Sequence, residues 1–213
     1  MPIQLFSNLN TLLDHLPADD GEHLRVVLTE PGGEMAEDLA IEDPGLLMVD
    51  ITGPKLQRVN FDLVRFAVID LAPKTLLASG GRRLMDVLGH LALEDLTLAF
   101  VGPATAVTGG ILEDGVTAGL NLLPRTAVLA DVQAVADLRG LLTALSHAGR
   151  RILALDGAVA ATYTRPGETV AVSGHGSVLL VAFHQERGAE TPTARINVLG
   201  AGMTRTWPDN SGS

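Results

Sequence analysis

The chain of 213 residues contains no cysteine. That excludes disulfides, cysteine-ligated zinc, iron–sulfur ligation and a thiol nucleophile. Aromatic residues are scarce at 3%, with a single Trp (Trp207) and a single Tyr (Tyr163). A base-stacking surface draws on more aromatics than this, and a formal net charge of −10 repels a phosphate backbone, so nucleic acid is not an expected partner. No apolar run approaches the roughly 20 residues that cross a bilayer. Residues 1–10 lack the basic stretch and apolar run of a signal peptide, so the expectation is a cytoplasmic protein with no membrane partner.

What is present is ordinary globular chemistry: 46% hydrophobic and 19% charged residues, enough to bury a full core. Residues 24–28 (Leu-Arg-Val-Val-Leu) and 46–51 look like short buried strands. Residues 74–79 run into Gly80-Gly81, and residues 83–92 carry Leu84, Val87, Leu88 and Leu91 at helical spacing. Residues 96–101 form a nearly continuous apolar run, as in a parallel strand buried on both faces, and end at Gly102-Pro103. A second amphipathic helix follows Asp131, with Val132, Val135, Leu138, Leu141, Leu142 and Leu145 on one side and Gly149 as its stop. The last third reads as strands: 151–155, a hairpin of 159–164 and 168–173 around Arg165-Pro166-Gly167, then 177–183 and 194–199. The expectation is one α/β domain over residues 1–213, a mostly parallel sheet flanked by helices and finished by a β-rich C-terminal meander. Residues 207–213 are expected to fray as a polar tail.

The informative stretch is 96–110, Leu-Thr-Leu-Ala-Phe-Val-Gly-Pro-Ala-Thr-Ala-Val-Thr-Gly-Gly. A buried strand, a tight turn of small residues and then a helix is the layout of a nucleophile elbow. Small neighbours let the backbone bend sharply, and amides at the helix N-terminus can hold an oxyanion. Around it stand Ser79-Gly80-Gly81 upstream and Gly119-Leu120-Asn121-Leu122-Leu123-Pro124 downstream. Further on come Leu153-Ala154-Leu155-Asp156-Gly157 and Gly174-His175-Gly176-Ser177-Val178. In this order the segments resemble the cyanophycinase and dipeptidase E family of serine peptidases over roughly the C-terminal two thirds of the chain. The resemblance implies a class I glutamine amidotransferase-like fold.

The resemblance also implies where the family's chemistry would sit, and there this chain departs from it. With Gly102 at the first elbow glycine, Pro103 takes the family's Thr and Ala104 its nucleophilic Ser. A methyl group cannot attack a carbonyl. Asp131 falls where the family has its histidine base, and Arg82 and Arg83 replace an Asp-Gln pair after Gly80-Gly81.

Each of these residues also has a plainer reading. Asp131 precedes an apolar-periodic helix, where an N-cap is worth about 1 kcal/mol. Thr105 is either a displaced nucleophile or a cap of the turn, and Thr108 is helix surface or core. Arg82 and Arg83 either bind an anion beside the Gly-Gly turn or extend into water. His175, between two glycines, reads as a solvent-facing turn residue, although a pair with Ser173 or Ser177 is possible on paper. Glu34, Glu37 and Asp38 read as a solvated helix face. Gly80-Gly81 lacks the third glycine and the ribose-binding acid of a dinucleotide turn. The six histidines show no i,i+3 or i,i+4 pairing, so no metal and no cofactor is expected.

The functional expectation is a catalytically degenerate peptidase-like protein that binds rather than cleaves. Its ligand would be small and anionic or peptide-like, held at Gly80, Gly81, Arg82, Arg83, Gly102, Pro103, Ala104 and Thr105. Two alternatives stand beside it. One is an active hydrolase with a relocated nucleophile, Thr105 or Ser173, with His175 as its base. The other is a structural subunit, a homodimer supported by the exposed closing strands.

Overall fold

A computed structural model describes residues 1–31, 33, 35–51, 59–78, 96–112, 117–131, 142–143, 145–146, 151–165, 167–184 and 193–207. Its centre is five parallel strands: β1 (Pro2–Phe6), β2 (Leu24–Thr29), β3 (Leu47–Asp50), β4 (Val64–Asp70) and β5 (Thr97–Val101). They alternate inward residues between two faces, as a pleated strand must. In β2, Val26 and Leu28 enter the main core while Val27 faces the opposite side; in β5, Leu98 and Phe100 do the same against Ala99 and Val101. Burial on both faces explains why these segments read as unbroken apolar runs. The helices α1 (Leu9–Leu13) and α2 (Ala36–Glu42) cover one face with Leu12 and Leu39.

The β-rich last third divides between two sheets. β9 (Val159–Thr164), β10 (Thr169–Gly174) and β13 (Thr204–Thr206) add antiparallel to β1, giving the order β13-β10-β9-β1-β5-β4-β2-β3. A second sheet, β12-β11-β8-β7-β6, is built from β6 (Gly109–Ile111), β7 (Leu123–Leu129), β8 (Arg151–Asp156), β11 (Ser177–His184) and β12 (Thr193–Gly200). It packs face to face on the first. Leu153, Leu155, Val178 and Leu180 share one core with Ile3, Leu5 and Phe100, each buried side chain contributing about 1.5–3 kcal/mol. On its outer face Leu145, in helical backbone, packs with Ile152, Ala154 and Phe183.

Strands expected at 24–28, 46–51, 96–101, 151–155, 177–183 and 194–199 are all present within a residue or two, and the hairpin closes with Thr164 opposite Thr169. Of the expected acidic helix face, Glu37 and Asp38 are exposed on α2, and Glu34 lies outside the described residues. The 83–92 helix and most of the helix after Asp131 also lie outside them. Two expectations are corrected. The segment after Gly102 is a 3₁₀ helix, Gly102–Thr108, that leads into β6. Its threonines explain the tighter winding. The Thr105 hydroxyl donates to the Gly102 carbonyl (2.7 Å) and the Thr108 hydroxyl to the Thr105 carbonyl (2.6 Å), competing for the acceptors an α-helix would use.

The second correction concerns Trp207 alone, the expected start of a frayed tail whose residues 208–213 lie outside the described residues. It is buried, with the Arg151 guanidinium 4.8 Å above its ring and its backbone N–H donating to Glu168 O at 2.8 Å. Arg151 also makes a two-pronged pair with Glu168 (2.6 and 3.1 Å), and the Tyr163 hydroxyl donates to the same carboxylate at 3.2 Å. Arg151 lies on β8, whereas Glu168 and Trp207 flank strands of the larger sheet, so this knot ties the two sheets together. The hydrogen bond from Arg151 holds the Glu168 carboxyl below its ordinary range, and burial pushes the Tyr163 phenol up. Among the described residues no helix is long and apolar enough to cross a membrane.

Candidate functional site

In open α/β sheets ligands bind at the carboxyl ends of parallel strands, and the chain has a cleft there. About 490 Å³ in volume, it opens between the ends of β2, β4 and β5 and is lined by Glu30, Asp70, Lys74, Val101, Pro103 and Ala104, among others. The bend that borders it is made at Gly102, which takes φ +53° directly after β5. A left-handed residue at a strand end costs an L side chain about 1–2 kcal/mol, and glycine nothing. In an elbow this strained position presents the nucleophile. Here the bend, Gly102, has no side chain, Pro103 follows, and Ala104 is buried with only a methyl group.

The floor of the cleft carries a carboxylate. Asp70, at the end of β4, is only 5% exposed. Its Oδ2 accepts from Thr29 Oγ1 at 3.1 Å and its Oδ1 from the Met35 N–H at 3.4 Å. The Thr29 hydroxyl has one hydrogen and lies 3.2 Å from the Glu30 carbonyl as well, so it shares that hydrogen between two acceptors. No ion pair joins Asp70 to a cation among the described residues. The carboxylate thus keeps acceptor capacity at the cleft, and a buried charge without a counter-charge is costly until one arrives. Glu30 has a different task. Its Oε1 accepts from the Ala72 N–H (3.2 Å) and Thr75 hydroxyl (3.0 Å), capping α3 (Pro73–Leu77) from the end of β2.

The structure separates several residues that the sequence had grouped. Gly80, Gly81, Arg82 and Arg83 lie outside the described residues. Asp131 is exposed and lines a second cleft, with Ser7, Asn8, Asp156 and Gly157 at the ends of β1 and β8, away from the one that Ala104 lines. Thr105 is fully buried, its hydroxyl committed to the turn. Ser173 is half-buried on β10, His175 is exposed, and no hydrogen bond joins the two. The glycines flanking His175 serve packing: a Cβ on Gly174 would lie 2.6 Å from Ala158 O, and one on Gly176 2.2 Å from Asp156 O. Among the described residues no group of three or more metal-ligating side chains is gathered.

Sequence reasoning missed Asp70 and Glu30. The signal was there: residues 64–70 (Val-Arg-Phe-Ala-Val-Ile-Asp) and 24–30 (Leu-Arg-Val-Val-Leu-Thr-Glu) are apolar runs that each end in an acid just before a turn. An acid at the carboxyl end of a buried strand is a candidate site residue by position.

No protein-family profile matches the chain, and no curated protein sequence does. Solved structures do. The crystal structure of a peptidase from an acI-B1 Actinobacterium superposes with a TM-score of 0.64 at 12% identity, covering 96% of each chain. A candidate peptidase E from Listeria monocytogenes EGD-e superposes at 0.50 with 15% identity, over 81% of this chain and 97% of that one. At such identities the likeness concerns the fold, and it is the fold that the elbow-like stretch and its flanking glycine segments imply: the chain has the α/β architecture of the class I glutamine amidotransferase-like, peptidase E-type proteins.

Proposed function

We propose that this protein is a non-hydrolytic member of its fold that binds a small ligand in the cleft between β2, β4 and β5. The observation that carries the reading is the bend after β5. Gly102, Pro103 and Ala104 offer no atom able to attack a carbonyl, while the cleft beside them keeps a buried carboxylate with acceptor capacity to spare. The described wall favours a peptide-like ligand that brings an ammonium group to Asp70.

The test pairs turnover with binding. Purified protein incubated with Asp-Xaa dipeptides is expected to release no free amino acid. In ligand-observed NMR, pentylamine is expected to bind and pentanol not, and Asp70→Asn should weaken the amine at least tenfold, a loss of about 1.4 kcal/mol. Lys74→Gln, which removes a positive charge from the same cleft, should strengthen it. Dipeptide hydrolysis, or amine binding indifferent to Asp70→Asn, would overturn the reading.

A further inference from the structure

A sheet edge presents unpaired N–H and C=O groups, and proteins keep such edges short, charged, proline-bearing or bulged. Among the described residues, three of the four sheet edges are short: β13 and β6 have three residues each and β3 has four. The fourth, β12, has eight. It pairs with β11 at every position from Thr193 to Gly200 without a bulge. It contains no proline, no lysine and no acid, and its one charge is Arg195. On the outer face of this edge Ile196 and Val198 are each 60% exposed, and Met203 just beyond it is 49% exposed. Such an edge is built for another strand.

We infer that β12 pairs with β12 of a second copy, antiparallel across a two-fold axis at Asn197, joining two five-stranded sheets into one of ten. The occupant follows from the strand itself. An axis at residue 197 places Ile196 opposite Val198 of the other copy, and Val198 opposite its Ile196. The four exposed β-branched side chains then meet on one face as cross-strand pairs, the arrangement that stabilises antiparallel sheets. Arg195 falls opposite Leu199, so no like charges face each other. This matters because the chain carries −10 overall, and two copies meet with least repulsion along a segment that has no acid. The isologous pairing joins residues 194–200 of both edges and closes at two copies, so it does not propagate into a fibre. A ribbon of seven paired residues, 194–200, is a small interface by the standard of stable complexes. The dimer is therefore concentration-dependent, with dissociation in the micromolar range. The pairing leaves the cleft at β2, β4 and β5 untouched and stands whatever that cleft binds.

The test uses the absence of cysteine, since any thiol introduced is the only one. In the pair formed by Asn197 and its symmetry mate the Cα atoms would be about 4.5–5.5 Å apart, within the roughly 4.4–6.8 Å span of a disulfide. Asn197→Cys is expected to give a disulfide dimer under mild oxidation. Ala194→Cys, equally on the strand but about 20 Å from its own mate in this register, is expected to give none. In sedimentation velocity the parent chain should pass from monomer to dimer across the micromolar range. The double variant I196K/V198K should stay monomeric with an unchanged unfolding temperature. A parent that stays monomeric throughout, a dimer that survives I196K/V198K, or cross-linking at Ala194→Cys as efficient as at Asn197→Cys would each overturn the inference.

Discussion

Glu168 follows the turn between β9 and β10 and faces a guanidinium that is almost wholly buried. Replacing it by Gln would leave Arg151 as a buried cation held by the Pro124 carbonyl and the Trp207 ring. Discounted for the partial exposure of Glu168, the expected loss is about 1–3 kcal/mol at neutral pH, measured by urea unfolding. The pH dependence has a definite sign. Because the folded-state pKa of Glu168 lies below its ordinary value, its contribution is fully present above about pH 4.3, the ordinary glutamate pKa, and is lost as pH falls through the folded value. Acidification from neutral pH should therefore lower the unfolding temperature of the parent more steeply than that of Glu168→Gln. Parallel curves would contradict the role. None of this knot was visible in the chain, where Arg151, Tyr163, Glu168 and Trp207 are scattered across 57 positions and share no periodicity. The methyl group of Ala104 was legible from the sequence, and the structure adds that it is buried and lines the cleft. Asp70 was overlooked, because an acid that ends an apolar run looks like a strand stop until the carboxyl ends of the strands are seen together.

Among the elements, the turns between strands set the tolerances. β10 leaves through Gly174 at φ +94°, where a Cβ would press on the Ala158 carbonyl, whereas Gly202, at φ +78°, has open space around it. Gly174→Ala is expected to cost about 2–4 kcal/mol, from backbone strain and collision together. Gly202→Ala should cost only the backbone part, about 1–2 kcal/mol. Urea unfolding of the two variants checks the difference, and equal losses would contradict it. Elements buried on both faces were legible because their apolar runs are unbroken, as in 24–28 and 96–101. β1 and β4 escaped notice although they lie at the heart of the sheet. Gln4 and Arg65 interrupt their apolar patterns, and only tertiary neighbours show that the flanking residues are buried. The small residues of the 3₁₀ segment suit any helix. Periodicity cannot register that two threonine hydroxyls take the carbonyls an α-helix needs.

At the scale of the whole molecule, a run of strands in sequence gives no sign of which sheet each one joins. The meander after residue 150 switches sheets repeatedly, with β8 in the smaller, β9 and β10 in the larger, β11 and β12 in the smaller and β13 in the larger. That weaving buries one core between two sheets, leaves β12 as an edge strand of the smaller sheet among the described residues, and places the described cleft at the carboxyl ends of the parallel strands. The fold is shared with peptidases, and the reading offered for this chain is that its bend after β5 has lost the means to attack. Intact-mass spectrometry after incubation with a fluorophosphonate probe tests that claim most directly. The account predicts an unmodified mass; a stoichiometric adduct, mapped to Thr105 or Ser173 and lost on substitution of that residue by alanine, would contradict it.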